Sequence, residues 1–317
     1  MEKRQMTFQI TLTAVFVLLL CAVPGYILIK CRMVSEDCIS GFSKVLLYVV
    51  QPCLAVYTFR SVEFSTGMLI NFGVFALISA FVMIVMLVGA YLILRPKYEK
   101  SIYRIMTVAV CFANCAFFCI PILEAIIPDL APGLIVYTTV FAVVMNTVGW
   151  TVGAAIISQN TKYISPKKIF LNPATLGFAV AMLVYVFNIP IQEDLGNMIN
   201  SLAGMATPLS MIIMGMRLGT IPLKSLFVNP LVYVAIAVKQ IVMPLFAFGV
   251  VYFLPIPRDI AATFFVICAC PVASVVLNFA EIVGSGQKEA ANTVLLGTMI
   301  SIVTLPLVML LFPLFGL

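Results

Sequence analysis

Long apolar stretches alternate with short polar segments along the whole chain of 317 residues. A membrane-spanning helix needs about 20 mostly apolar residues, and a few more where it is tilted. Ten stretches meet this requirement, and they predict an all-α polytopic membrane protein with ten transmembrane helices. The predicted spans are Met6–Lys30, Ser40–Phe59, Gly67–Leu94, Ser101–Ile127, Pro132–Ile157, Asn172–Asn188, Asn197–Leu218, Phe227–Leu254, Arg258–Val283 and Glu289–Phe315.

The composition supports this prediction and excludes several classes of function. Apolar residues make up 63% of the chain and charged residues only 9%, whereas soluble domains carry about 25% charged residues. Most of the surface must therefore face lipid, and disorder or nucleic-acid binding is not expected. The chain has no histidine, so it cannot form a Ser-His-Asp triad or a histidine-ligated metal site. Neither a metal nor a cofactor is expected, and an enzyme is the least favoured class.

Basic residues in the predicted linkers divide unequally between the two sides of the membrane. One side holds four and the other thirteen, and the richer side is cytoplasmic by the positive-inside rule. Both termini are then extracytoplasmic, and the plasma membrane is the expected location. The smaller set is Lys3, Arg4, Arg60 and Arg258, and the larger is Lys30, Arg32, Lys44, Arg95, Lys97, Lys100, Arg104, Lys162, Lys167, Lys168, Arg217, Lys224 and Lys288.

The two halves of the chain, residues 1–157 and 158–317, align with each other at a constant shift of 157 residues. Arg60 then maps onto Arg217 and Glu124 onto Glu281, and the first five spans fall on the last five. Because five is odd, the second copy must enter the membrane from the opposite side. Inverted repeats of this kind are typical of secondary transporters, in which two pseudo-symmetric packings open to opposite sides.

Prolines and asparagines interrupt the fourth and ninth spans at matching places. Asn114 precedes Pro121 by seven residues, and Pro271 precedes Asn278 by the same distance in the swapped order. A proline inside a helix leaves a carbonyl without its donor, and such backbone persists in a membrane only inside protein or beside a wet cavity. Two broken helices crossing at mid-membrane, with Ser274 beside the second break, predict an anion-binding transport site.

Four more polar side chains lie in predicted spans. Lys239 is near the centre of the eighth span. It is either a counter-charge for a substrate carboxylate, or a built-in cation that replaces a coupling ion, or a structural lysine bonded to carbonyls at the breaks. Asn146 could complete the pocket or join helices. Glu124 and Glu281 are candidates for proton coupling, with interfacial helix ends as the alternative.

Cys111, Cys115 and Cys119 recur at a helical spacing, which predicts one face of the fourth span. A thiolate metal site is conceivable there, but thiolates buried in lipid without paired cations are costly. Small residues that pack where helices approach closely are the favoured interpretation.

The break motifs, together with Asn172-Pro173 and Ala206-Thr207-Pro208-Leu209, resemble the auxin efflux carrier family in its compact bacterial and fungal-type members. The resemblance implies ten helices in two inverted five-helix repeats, with crossing helices 4 and 9. It also implies a scaffold of spans 1, 2, 6 and 7, often dimeric, and a transport domain of spans 3–5 and 8–10. An elevator-like movement would carry a carboxylate, with malate- or malonate-like dicarboxylates before indole-type aromatic carboxylates.

We therefore expect a secondary carrier of small organic anions that binds its substrate at Asn114, Pro121, Pro271, Ser274, Asn278, Lys239 and Asn146. The alternative is a non-transporting membrane sensor that uses the carrier fold to bind a ligand without turnover. A channel is third, because no ring of charges or dedicated filter is recognisable.

Overall fold

The computed structural model describes residues 2–60, 62–160, 162 and 171–317. In these residues, seven helices are long and apolar enough to cross a membrane. A shorter apolar helix and two pairs of short helices complete the pattern. The helices are α1 (Glu2–Lys30), α2 (Cys38–Arg60), α3 (Thr66–Lys97), α4a (Ser101–Ala109), α4b (Cys119–Ile126), α5 (Ala131–Ser158), α6 (Pro173–Val186), α7 (Glu193–Thr220), α8 (Pro230–Tyr252), α9a (Arg258–Ala269), α9b (Val275–Val283) and α10 (Gln287–Phe315).

Seven long helices are fewer than the ten spans predicted from the sequence. The difference has a local cause at each place. Helix α6 has only 14 residues and directly follows its N-terminal cap, Asn172. The side-chain oxygen of Asn172 accepts a hydrogen bond from the amide of Thr175 at 2.9 Å, and Pro173 in the first turn reinforces this start. The fourth and ninth predicted spans are each divided into two short helices, so neither is a continuous helix.

Several of the long helices are locally irregular. Segments of π-helix interrupt α2 at Leu46–Val50, α5 at Gly149–Gly153 and α8 at Val238–Val242. Each π-helical turn widens the helix and leaves the ordinary hydrogen-bond ladder, a feature that recurs at functional sites. Helix α1 bends between Leu20 and Val23, immediately before Pro24, where a proline is tolerated in the first turn of the second segment.

Two helix pairs approach so closely that only glycine fits between them. Helix α1 packs on α7, where a Cβ atom added to Gly215 would collide with the carbonyl oxygen of Ala22. Helix α2 packs on α6, where a Cβ added to Gly177 would lie 2.7 Å from Cα of Pro52. Small residues at helix contacts drive association in membranes, where the hydrophobic effect between helices is lost.

The core surrounds the interrupted helices. Every residue of α9a from Ile260 to Ala269 is buried, and so are Phe112 and Phe118 in the first interruption. By contrast, α3 exposes large apolar side chains such as Leu77 and Ile93, as expected of a helix that faces lipid. The polypeptide thus keeps its non-helical backbone inside protein and its regular helices outside, which is the arrangement that a bilayer requires.

Candidate functional site at the crossing of two broken helices

The two interruptions cross and satisfy each other's backbone. The amide of Asn114 donates to the carbonyl oxygen of Pro271 at 2.9 Å, and the amide of Ala273 donates to that of Phe112 at 3.0 Å. Ala113 and Val272 form an antiparallel bridge between these two bonds. Asn114 and Pro271 are also mates at the shift of 157 residues, so the point of crossing joins equivalent positions of the two halves.

The side chain of Asn114 lies at this crossing and is only 4% exposed. Its Nδ2 atom has no hydrogen-bond partner among the described residues. A buried polar group without a partner costs about 1–3 kcal/mol, and such exceptions in native proteins need a reason. The two donor hydrogens of this amide are therefore not used by the described residues around the crossing.

Lys239 is fully buried within the π-helical segment of α8. Its Nζ donates to the carbonyl oxygen of Cys268 at 2.8 Å and to that of Cys270 at 2.9 Å. These carbonyls lie at the C-terminal end of α9a, where the helix dipole favours a cation. Two of the three donors of the ammonium group are thus engaged by the broken helix itself.

The neighbouring residue ties α8 to α10. Gln240 donates from Nε2 to the carbonyl oxygen of Gly297 at 2.6 Å, and its Oε1 accepts a hydrogen bond from Thr304. The buried polar groups of α8 are consequently satisfied by α9a and α10, and they hold these three helices together.

A cavity of about 680 Å³ opens beside the crossing. Its polar walls come from the start of α2, the end of α7, the middle of α5 and α9b. Its cations are Lys44 and Arg217, and its carboxylates are Glu36, Asp37 and Glu281. The other polar and aromatic residues that line it include Ser40, Ser43, Tyr48, Gln51, Asn146, Trp150, Asn172, Thr220 and Asn278.

A smaller cavity of about 50 Å³ lies next to this one. It shares Ser43, Arg217 and Asn278 with the larger cavity. It is also lined by Phe117 from the first interruption and Ser274 from the second. Neither half-helix that begins here, α4b or α9b, has its N-terminal amides capped by the side chain of its first flanking residue. Two uncapped N-termini next to a cavity suit an anion.

The predicted site residues divide into three places. Asn146, Ser274 and Asn278 line the cavities. Asn114 and Pro271 lie within the crossing, with Lys239 of α8 bonded to the carbonyl oxygens beside it, and Pro121 is in the first turn of α4b. A proline is tolerated in a first turn because its missing N–H would have no partner there.

The two glutamates of the predicted pair have different surroundings. Glu281 accepts a hydrogen bond from Arg217 at 2.6 Å, an ion pair between α9b and α7 at the wall of the large cavity. Its mate Glu124 is exposed on α4b, and in the described part of the chain it forms no ion pair with Arg60, the mate of Arg217.

The prediction that Cys111, Cys115 and Cys119 share a helical face is wrong. Cys111 and Cys115 lie in the non-helical interruption, and only Cys119 begins a helix, α4b. The backbone leaves the helix here to pair with the second interruption, so the periodicity of the sequence has no helical counterpart. All three thiols are buried, and the described residues contain no group of acidic, histidine or cysteine side chains that could hold a metal ion.

Lys44, Ser43 and Trp150 were not predicted to be site residues. Lys44 was interpreted only as a marker of the cytoplasmic side. Ser40, Ser43 and Lys44 recur at helical spacing inside the second predicted span, and this polar stripe at the start of an apolar helix was the available signal.

A family model described as membrane transport protein matches the chain in two stretches, residues 10–169 and 160–309. The chain belongs to the auxin efflux carrier family of membrane transport proteins. The resemblance inferred from the break motifs is confirmed by this match. No curated protein matches the chain. As a member of this family, the protein acts in a membrane on a transported small molecule.

Proposed function

We propose that this transporter is a secondary carrier of small organic anions that works by alternating access. The single observation that carries the proposal is the crossing of two broken helices, Asn114 against Pro271, beside a polar cavity. The cavity would represent one of two states, the one open to the cytoplasm. Substrate would enter past Lys44 and reach the small cavity between Phe117 and Ser274.

Several equivalences between the halves support two inverted five-helix repeats with ten membrane-crossing segments. At the shift of 157 residues, the first residue of α4a maps onto that of α9a, and the starts of α4b and α5 fall within one residue of those of α9b and α10. When the two halves are exchanged at this shift, α1 maps onto α6 and α7 onto α2, so the helix pair α1–α7 corresponds to the pair α6–α2. In both pairs a glycine lies directly against the backbone of the partner helix. An antiparallel bridge between Ala113 and Val272 is what a two-fold axis in the membrane plane would produce.

The positions of the cavity walls favour an elevator-type movement. Helices α2, α6 and α7 supply one wall, and α5 and α9b supply the other. These are the scaffold and the transport domain that the family resemblance implies. A transport domain of α3–α5 and α8–α10 could move past the scaffold of α1, α2, α6 and α7 with the crossing intact. We also propose a homodimer through the scaffold, and a plasma-membrane location with both termini outside.

One cation of the cavity, Lys44, supports a small carboxylate as the substrate, against a lining that carries two cations and three carboxylates in all. Arg217 is neutralised by Glu281, which leaves Lys44 as a cation without an ion pair among the described residues. Glu36 and Asp37 lie at the edge of the cavity and would repel an anion until it reaches Lys44 and the amides of Asn146 and Asn278. Dicarboxylates such as malate or malonate are the first candidates because the family resemblance implies them, and an aromatic carboxylate would use Trp150 and Tyr48 in addition.

Lys239 then acts through the crossing and not as a direct ligand. Its ammonium group supplies a fixed positive charge among the carbonyls of the second break, where a carrier without this lysine would need a bound cation. We therefore propose transport that requires no sodium ion. Glu281 and Glu124 are retained as the proposed proton-coupling groups, because they are mates on opposite half-helices.

Uptake into proteoliposomes tests the proposal. The purified chain is reconstituted, and entry of radiolabelled malate, malonate and indole-3-acetate is measured with and without a pH gradient, in sodium and in potassium buffer. We expect saturable uptake of at least one carboxylate that is the same in both salts. The variant Lys44→Gln should lose most of this uptake, and Lys97→Gln, a change of charge on the same predicted face but outside the cavity, should keep it. Binding of a carboxylate without any uptake would contradict the carrier and favour a sensor.

A further inference from the structure

A second, apolar cavity of about 540 Å³ lies between α1, α7 and α10, away from the crossing. It arises because α1 bends near Ala22. The first half of α1 packs on α10, and the second half turns onto α7. Its twelve lining residues are apolar except for Tyr26 and Thr298: Leu19, Ala22, Val23, Tyr26, Met214, Gly215, Leu218, Leu223, Leu295, Thr298, Met299 and Ile302.

This groove opens toward the lipid. Val23 and Leu223 are exposed by 46% and 43%, and Met299 by 37%. Along α1 and α10, the first and last lining residues are seven residue steps apart, Leu19 to Tyr26 and Leu295 to Ile302, or about 10 Å at 1.5 Å per residue. An elongated apolar slot of this length between membrane helices matches a stretch of acyl chain.

One end of the groove is positively charged. Lys30 lies one turn beyond Tyr26, with its Nζ 5.7 Å from the centre of the Tyr26 ring, a cation–π distance. Lys224 directly follows Leu223 in the one-turn helix Leu223–Leu226. This turn is held against α10 by the hydrogen bond from Asn292 Nδ2 to the carbonyl oxygen of Ser225 at 3.1 Å. Both lysines are exposed at the end predicted to face the cytoplasm.

We propose that this groove is a binding site for one anionic phospholipid of the cytoplasmic leaflet. The acyl chain would lie between Val23 and Met299, and the phosphate would lie between Lys30 and Lys224. An apolar slot alone would accept any lipid, whereas two lysines at its mouth select a negative headgroup, since basic residues near the cytoplasmic leaflet attract anionic lipids. The proposal concerns binding and does not depend on the substrate that is carried.

Thermal unfolding of the full purified chain in detergent tests the site, because a ligand that binds only the folded state raises the apparent Tm. The probes are phosphatidylglycerol and phosphatidylcholine with the same acyl chains, and glycerol 3-phosphate without acyl chains. We expect phosphatidylglycerol to raise the Tm by about 3 °C or more. Phosphatidylcholine and glycerol 3-phosphate should each give less than half of this increase.

Two variants and their matched controls locate the effect. The double variant Lys30→Gln/Lys224→Gln should lose at least half of the increase given by phosphatidylglycerol, and Lys97→Gln/Lys100→Gln should keep it. Val23→Trp should fill the groove and also lose the increase, whereas Val17→Trp, exposed by 51% on the same helix, should keep it. Each variant is compared with its own Tm without lipid, so a change in basal stability does not affect the result. Equal increases with both phospholipids, an equal increase with glycerol 3-phosphate, or an undiminished increase in either groove variant would overturn the proposal.

Discussion

Helices α3 and α8 occupy matching places in the two predicted halves, yet they differ in polarity and helix geometry at one matching pair of positions. The shift of 157 residues maps Lys239 onto Val82 and Gln240 onto Met83, and all four side chains are fully buried. Helix α3 is a regular α-helix from Thr66 to Leu94, whereas α8 contains a π-helical segment around the lysine.

In the proposed inverted repeat, this difference places the buried cation on one side of the axis. Both backbone hydrogen bonds of the crossing join the two interruptions, Asn114 to Pro271 and Ala273 to Phe112, but among the described residues only the second half contributes a buried cation beside them. A single ammonium group next to the crossing is sufficient for both halves, since the two interruptions touch. A second one in α3 would place two like charges in the same apolar interior.

The substitution with the largest expected effect moves the charge to the other half. Val82→Lys would bury a lysine in a regular helix at a position that is now fully apolar. The resulting cost of at least about 2.5–3.5 kcal/mol should remove most of the folded protein. The measurement is the monodisperse fraction in size-exclusion chromatography. Val82→Met is the control, and it should stay folded; a monodisperse Val82→Lys protein would contradict the account of α3.

Removal of the native charge should have the next largest effect. Lys239→Met leaves the carbonyl oxygens of Cys268 and Cys270 without their donor, so the second interruption should lose its geometry. We expect carboxylate uptake to fall to the level of empty liposomes while the protein remains monodisperse. The conservative variant Lys239→Arg should restore part of the uptake if charge alone is needed. Full uptake by Lys239→Met would contradict a role of the lysine at the crossing.

A smaller effect is expected at the point where the two halves meet. Asn114→Ala removes the amide whose Nδ2 is buried without a partner, and it keeps the backbone bond to Pro271. Loss of one or two hydrogen bonds to a carboxylate corresponds to about 1.5–3 kcal/mol, so the affinity should fall about tenfold or more. The measurement is the substrate concentration that gives half-maximal uptake. An unchanged value would place the binding pocket elsewhere.

The sequence predicts these regions unequally, for physical reasons. The interruption at Pro271 is predictable because a proline disrupts its own helix whatever surrounds it, whereas the interruption at Asn114 contains no proline that would predict it. The position of Pro121 at the centre of a break is not supported, because the same residue fits the first turn of α4b without cost. The partner of Lys239 stays open in the sequence, since both a substrate and backbone carbonyls satisfy an ammonium group.

The large cavity could not be predicted from the sequence at all. Lys44 and Asn278 become neighbours of one space only because α2 and α9b face each other across the cavity, and no local pattern encodes that distance. The same holds for the glycine contact between Gly215 and Ala22, which depends on the crossing of helices far apart in the chain.

The smallest expected effect concerns the ion pair of Arg217 with Glu281 and the matching residues of the first half, Arg60 and Glu124. Glu281→Gln removes the ion pair with Arg217. The side chain of Arg217 is 22% exposed and that of Glu281 is 42% exposed, and ion pairs at the surface contribute about 0–1 kcal/mol to stability. Glu124→Gln removes no ion pair in the described structure. We expect the first variant to lower the Tm by no more than about 3 °C and the second to leave it unchanged. A larger decrease in Tm for Glu124→Gln than for Glu281→Gln would mean that the resting protein forms the ion pair between Glu124 and Arg60 instead, which would contradict this account.

The central claim is that two interrupted helices from opposed halves meet to form the anion site, and a structure of the protein with malonate in lipid nanodiscs, determined by electron cryomicroscopy, tests it most directly. The account predicts ligand density between the Asn114 amide and the α9b residues Ser274 and Asn278. Density confined to another part of the molecule, with the crossing of Asn114 and Pro271 absent, would contradict it.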